Sequence, residues 1–299
     1  MVSAPSSSLP FGKKWYIDPN GAPTSSLLSD GSGNSFWNSG GGPAADAAGN
    51  IYNLSANGPF DTTLNAAGFP ANGDYGDSYL KFTPTPGGLT VSDYFTVYNQ
   101  QDYANDDEDI GSSGLTLVNV TDSSGRSHQL MIGSGKDGNI YVVDTSNMGK
   151  FNPTSNNIYQ ELPGAVGGGE FGSPVAFNGQ VYFGGVGATL RAFQFVNGKL
   201  QATPASQSSN TFGYPGTTPS ISSDGNANGI VWAIDDGNST AVLYAYDATN
   251  LSTMLYNSNQ APNGRDSVGP SNKFITPTIA NGKVYVGTPS GVAVFGLLP

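Results

Sequence analysis

The run Asp224-Gly225-Asn226-Ala227-Asn228-Gly229, with Asp235 at its twelfth position, has the spacing of a calcium-binding loop. Short oxygen-bearing side chains at alternate positions converge on one hard cation, and glycine permits the sharp turn between them. Asp224, Asn226, Asn228 and Asp235 are therefore candidate metal ligands, with calcium as the cofactor they would take. Two features oppose this: two of the three short ligands are neutral amides, and residues 230–234 read as a strand that carries Asp235 away. A plain turn rich in Asp, Asn and Gly is the competing reading.

The densest acidic run is Asp102, Asp106, Asp107, Glu108 and Asp109, leading into Ile110-Gly111-Ser112-Ser113-Gly114. Carboxylates so close suit a bound cation or general acid–base work. The bland alternative is a solvated loop in which one aspartate accepts backbone N–H groups. His128 is the only histidine, and one histidine cannot build a multi-histidine metal site. It follows a polar turn and is expected at the surface. No residue is nominated as catalytic.

The elements that carry these residues repeat. The closing stretch, TPTIANGKVYVGTPSGVAVF, holds a short strand, an Asn281-Gly282 turn, a strand at 283–286 and another at 292–295. Asn-Gly between apolar runs predicts a type I′ hairpin, which needs positive φ at both central positions. SPVAFNGQVYFGGVGATLRAFQF repeats the pattern from Ser173, and TPSISSDGNANGIVWAIDDGNSTAVLYAYD repeats it more loosely from Thr218. Repeats start at Pro43, Leu115, Pro174, Pro219 and Pro277, at intervals of roughly 45 to 72 residues, which suits four-stranded propeller blades rather than the shorter rungs of a β-helix.

The expected fold is thus a single all-β domain over residues 1–299, a β-propeller of about five four-stranded blades. These fall near 42–98, 112–165, 172–205, 216–260 and 274–299. Lys199-Leu200-Gln201 ends the third, and residues 1–12 form a loose N-terminal segment. The last blade has three strands, and the strand Lys13-Trp15-Asp18 at 13–18 is expected to complete it by pairing with 292–295. The competing expectation is an open fragment of a larger propeller. Two long insertions, 59–75 and 98–113, are the expected contact surfaces, because function tends to sit on loops that a rigid scaffold holds.

Composition agrees. The 299 residues include 42 Gly and 20 Pro, charged residues make up only 11 %, and there is no Cys. Lacking cysteine, the chain has no disulfides, thiolate metal sites or thiol nucleophiles. A formal net charge of −11 with only 11 Lys and Arg argues against nucleic acid as a partner. No stretch approaches the roughly 20 apolar residues of a membrane span, and Met1 to Phe11 lack the basic and apolar regions of a secretion signal.

The phrases Pro-x-[Ala/Ile]-x-Asn-Gly-x-Val-Tyr at 174–182 and 277–285, LYAYD at 243–247, GSGKDGNIYVVD at 133–144 and SGGGPAADAAGNIY at 39–52 are similar to the quinoprotein-like (pyrroloquinoline-quinone repeat) β-propellers, in an uncharacterised secreted bacterial branch. The resemblance implies an extracellular or periplasmic setting. It also matches Asp107, Asp109 and Gly111 to an Asp-x-Asp-x-Gly segment that leads into a blade's inner strand at the ring face, making Asp107 and Asp109 candidate cation ligands. The family's dehydrogenases hold quinone and calcium at the ring centre, and many use a vicinal Cys pair and a tryptophan docking phrase in each blade. Here Cys is absent and Trp is limited to Trp15, Trp37 and Trp232, so fold likeness does not transfer activity. The leading expectation is a secreted, non-catalytic scaffold whose loops bind a protein, a surface or a glycan. A quinone- or metal-dependent oxidoreductase at the ring centre is the first alternative, and a carbohydrate-active enzyme the second.

Overall fold

A computed structural model describes residues 35–86 and 88–297. Blade 1 contains β1 (Ala44–Ala45), β2 (Ile51–Ser55), β3 (Ser78–Thr85) and β4 (Gly88–Thr96), and the short helix α1 (Gln100–Asp106) follows it. Blade 2 contains β5 (Leu115–Thr121), β6 (Ser127–Ser134), β7 (Ile140–Asp144) and, after β8 (Lys150–Phe151) crosses back to pair in parallel with β4, the strand β9 (Gln160–Leu162). Blade 3 runs β10 (Val175–Phe177), β11 (Gln180–Phe183), β12 (Thr189–Val196), β13 (Lys199–Leu200) and β14 (Ser206–Thr211). Blade 4 runs β15 (Ser220–Asp224), β16 (Ala227–Asp235), β17 (Val242–Asp247) and β18 (Asn250–Asn257), and blade 5 runs β19 (Thr278–Ala280), β20 (Lys283–Thr288) and β21 (Gly291–Phe295). The first strand of each blade touches the first strand of the next: β1 on β5, β5 on β10, β10 on β15, β15 on β19. The sheets therefore radiate from one axis, as propeller blades do.

The central strands read as unbroken apolar runs because both of their faces are buried. Side chains alternate across a strand, so in β6 Met131 packs toward blade 1 while Leu130 and Ile132 pack toward blade 3. In β11, Val181 and Phe183 face blade 2 and Tyr182 faces blade 4. In β16, Val231 and Ala233 face blade 3, and Trp232 and Ile234 face blade 5. Four inter-blade layers result, each an independent hydrophobic core. Fully burying one such side chain contributes about 1.5–3 kcal/mol.

The hairpins follow the turn chemistry. Asn281 and Gly282 have φ of 51° and 69°, and Asn178 and Gly179 have 47° and 76°, so both positions are left-handed in each, as type I′ requires. The third blade departs from expectation at its outer edge. Lys199–Leu200 pairs with the far end of β12, but the full outer strand is Ser206–Thr211, which pairs along β12 from Thr189 to Ala192. Its sequence, SQSSNT, has no apolar alternation and gives a sequence reader nothing to detect.

The two terminal blades differ. Insertion 59–75 folds back over the far face of blade 1, placing Phe60, Leu64, Phe69 and Tyr75 against Leu80, Phe82 and Tyr94. In blade 5, Val292 and Val294 remain 61 % and 53 % exposed. Among the described residues no hydrophobic cluster joins blade 5 to blade 1. The strand expected at 13–18 lies outside the described residues, as does the loose segment 1–12.

Candidate functional site

The segment leading into each blade's first strand and the turn following its second strand lie at the same end of the axis, because those strands are antiparallel. At this end the lead-ins of blades 3 and 4 bond to the blade before them, Glu170 N–H donating to Gly135 O (2.9 Å) and Thr217 N–H to Gly184 O (2.8 Å), while the lead-in of blade 2 is held by its own blade, Lys136 N–H donating to Asp109 O (2.9 Å). Gly111 sits so close to the backbone of Ser55 that a Cβ would overlap it. Residues 39–41, which lead into blade 1, reach the lead-ins of blades 3 and 5: Ser173 Oγ donates to Ser39 O and Thr276 Oγ1 to Gly40 O, each at 3.0 Å. A Cβ on Gly40, whose φ is +74°, would strike Thr218 and Thr276.

Blades 1 and 2 bring a cluster of carboxylates to this face, and it contains its own cation. Lys136 Nζ lies 2.7 Å from Asp107 Oδ2 and 2.5 Å from Asp109 Oδ2. The hydrogen bond to Lys136 holds the Asp107 carboxyl below the usual carboxylate range. Burial alone would lower the Lys136 pKa, but the bonds to Asp107 and Asp109 outweigh it and raise it. Asn57 N–H donates to Asp109 Oδ1 (2.5 Å), and Ile110 N–H to Asp77 Oδ1 (3.1 Å). Burial pushes Asp77 up to about 8. Asp137, also raised by burial, accepts from Tyr141 Oη (2.7 Å) and Tyr103 Oη (3.1 Å). Sequence reasoning expected a metal between Asp107 and Asp109; the structure does bring them together, but around the ammonium of Lys136. Lysine 136 carried no signal beyond its place in the GSGKDGN turn.

Four aromatic side chains, one from the lead-in of each of blades 1, 3, 4 and 5, cross the same face in sequence. Trp37 meets Phe171 (centroids 6.3 Å), Phe171 meets Tyr214 (5.4 Å, 73° between planes) and Tyr214 meets Phe274 (6.0 Å, 87°). Lys136 lies over Trp37 at one end and Lys273 over Tyr214 toward the other, with Nζ 5.6 and 4.5 Å from the ring centroids. Beneath Phe171 and Phe274 a cavity of about 10 Å³ is bordered by Gly216, Thr217, Thr218 and Asp236. Trp37, Asn57, Asp107 and Asp109 line an open cleft of about 350 Å³ next to it. Neither the aromatic row nor Asp236 was found from sequence. A usable signal existed, since an aromatic precedes each of the four proline anchors by three to six residues.

The calcium-loop residues are not brought together. Asp224 pairs with Ala227 across a tight hairpin, whereas Asp235 pairs with Val242 at the opposite end of the nine-residue strand β16. At about 3.3 Å per residue the strand sets them more than 20 Å apart. Asn226 is used through its carbonyl, which accepts from Asn178 Nδ2 (2.6 Å), and Asn228 adopts φ 54° beside the turn. Residues 224–228 form a tight hairpin turn with Gly225 and Asn228 at positive φ. Among the described residues no group of three or more Asp, Glu or His side chains is arranged to hold a metal.

His128 lies away from the axis and is less exposed than expected. Its Nδ1 is 2.6 Å from Asp144 Oδ2, its Nε2 is 3.2 Å from Asp122 Oδ2, and its ring packs on Tyr159. Hydrogen bonds to Asp144 first and Asp122 second raise its pKa. This is a rim contact between strands of blade 2, without a nucleophile beside it.

No protein-family profile and no curated protein matches the chain. Among solved structures it is similar to quinohemoprotein alcohol dehydrogenase from Comamonas testosteroni, at 15 % identity over 86 % of this chain and 44 % of that one, with a TM-score of 0.47. It is also similar to quinohemoprotein alcohol dehydrogenase ADHIIG from Pseudomonas putida HK5, at 14 % identity over 82 % and 43 %, TM-score 0.46. A third is BamB from Moraxella catarrhalis, at 12 % identity over 88 % and 62 %, TM-score 0.41. The chain spans less than half the length of the two dehydrogenases. Identities and TM-scores this low leave both fold and function to the chain's own residues.

Those residues do not fit a quinone with calcium. Pyrroloquinoline quinone is itself an anion with three carboxylates, and the open cleft at the axial face offers it Asp107, Asp109 and one lysine already committed to both. Like charges brought together with so little compensation repel. The oxygens a calcium ion would use are the ones Lys136 holds, and residues 39–41 are bonded to the lead-ins of blades 3 and 5. No helix among the described residues is long and apolar enough to cross a membrane.

Proposed function

We propose that this protein is a non-catalytic binding scaffold, extracellular or periplasmic, whose contact face is the axial ridge of Trp37, Phe171, Tyr214 and Phe274. The observation that carries this reading is the continuity of the ridge. Four rings from four blades stand in unbroken succession, with Trp37, Tyr214 and Phe274 at 40–45 % exposure. A lone exposed aromatic is ordinary. A row of them on a rigid frame, with polar and charged neighbours, is the composition of an interaction surface. The setting outside the cytoplasm is supported by the sequence resemblance alone.

The contact face therefore moves from where the loop lengths suggested. Insertion 59–75 places its aromatic side chains inward on blade 1, and segment 98–113 buries Ile110 and anchors Asp109. Both brace the frame. The test is a variant with Trp37, Tyr214 and Phe274 all changed to Ala, its fold checked by circular dichroism. In affinity capture from a culture-medium fraction, the partners retained by the wild type should fall at least tenfold on the variant. Identical captured sets would overturn the reading.

A further inference from the structure

Asp236 is one of three buried aspartates, with Asp77 and Asp109, that have an oxygen accepting no hydrogen bond among the described residues, and unlike Asp109 it has no ammonium at ion-pair distance. It is 2 % exposed, directly follows β16, and its Oδ1 has no hydrogen-bond partner. A buried carboxylate oxygen without a donor costs several kcal/mol when ionised. This one borders the small cavity under Phe171 and Phe274, which Gly216, Thr217 and Thr218 also line. Tyr214 spans the two phenylalanines nearly at right angles to each. Phe171 and Phe274 border the cavity together with the carboxylate, and Tyr214 packs against both, so aromatic surface and negative charge lie beside one small space, the chemistry that recognises an organic cation.

We propose that Asp236, Phe171, Tyr214 and Phe274 form a receptor for a single protonated primary amine, supplied by a lysine side chain or a chain N-terminus of a partner protein. The proposal rests on the scaffold reading for its partner but not for its chemistry. Size selects the amine. The cavity admits one group as large as a water molecule, which suits –NH₃⁺ and excludes a quaternary ammonium. Charge selects it over water, because water gives Asp236 a donor but no countercharge. The ring faces already attract such a group: the chain's own Lys273 ammonium sits 4.5 Å from the centroid of Tyr214. An aliphatic stem behind the ammonium would lie along Phe171 and Phe274.

Binding requires Asp236 ionised, and burial raises its pKa to about 6, with the neighbouring Asp235 charge adding and Lys273 opposing. Glu170, on the lead-in that also supplies Phe171, is pushed up to about 8 by burial and so is mainly uncharged at neutral pH. Affinity should accordingly weaken about tenfold per pH unit below 6 and level off above it.

The experiment is an NMR titration of the full chain with methylammonium chloride at pH 7.5, against potassium chloride and tetramethylammonium chloride at equal ionic strength. Saturable shifts of the Phe171, Tyr214 and Phe274 ring signals and of the Asp236 carboxyl carbon are expected with methylammonium. Tetramethylammonium should bind at least tenfold more weakly. Asp236→Asn should abolish saturation, and Lys273→Met, which removes a competing cation, should tighten it. Phe274→Ala supplies a second variant if Asp236→Asn does not fold, and it should weaken binding at least fivefold. Absence of saturation, equal or tighter binding of potassium, or unchanged binding by both variants would overturn the proposal. The two readings fail separately. Methylammonium binding together with undiminished capture by the triple-alanine variant sinks only the scaffold. Lost capture without methylammonium binding sinks only the amine receptor.

Discussion

Two buried aspartates at one end of the axis meet opposite fates. Asp109, on the lead-in of blade 2, has an ammonium 2.5 Å away and a backbone N–H on its other oxygen. Asp236, between blades 4 and 5, has no ammonium at ion-pair distance among the described residues, and burial pushes its pKa up to about 6. Both are almost wholly enclosed. The difference shows that burial does not by itself make a carboxylate structural. Where the chain supplies the countercharge, the carboxylate fastens one blade to the next. Where it does not, the carboxylate remains a destabilising group that an external cation relieves.

The largest effect should come from removing the countercharge at Asp109. Lys136→Met leaves a buried carboxylate unpaired and should destabilise the fold by about 3–5 kcal/mol in urea unfolding. Adding Asp109→Asn to it should recover part of that loss; a double variant no better than the single one would show that Lys136 acts through packing. The opposite sign is expected at Asp236. Its folded-state pKa lies above the ordinary carboxylate value, so folding favours the protonated form and stability declines as pH rises from about 4 through 6. Asp236→Asn, which cannot ionise, should then be more stable than the wild type by about 1–2 kcal/mol at pH 8, after allowance for solvent screening. The two should converge near pH 4. Equal stability at both pH values would remove the contrast between the two sites.

The smallest effect sharpens the comparison within one ion pair. Asp107 shares the Lys136 ammonium with Asp109 but is 76 % exposed against 3 %. Asp107→Asn should cost under about 1 kcal/mol, and less at high salt, because an exposed pair is screened. A loss as large as that of Lys136→Met would mean that the exposed carboxylate, and not the buried one, anchors the cluster.

Much of the frame was legible from sequence. Asn281-Gly282 and Asn178-Gly179 demand left-handed backbone, so their hairpins follow from residue type. Doubly buried strands such as Ile140–Asp144 and Val242–Asp247 declare themselves as apolar runs. What escaped was held together by contacts distant in sequence. Ser206–Thr211 is a strand only because β12 offers it an edge. The Asp224–Asp235 spacing matched a cation loop in one dimension, and the straight strand between them separates the ends. Asp107 and Asp109 lie together in space as in sequence, yet the cation they share is Lys136, more than twenty residues along the chain.

The sequence alone determined the local geometry: where the chain turns, which runs are strands, and that repeated four-stranded units must cover one another's apolar faces. Those properties are settled within a few residues by backbone sterics and side-chain alternation. Only the tertiary structure decided which carboxylates acquire a countercharge and which aromatics line up across four blades. Electrostatic pairing and ring-to-ring contact depend on distances in space, and here those distances are fixed by how successive blades stack around the axis.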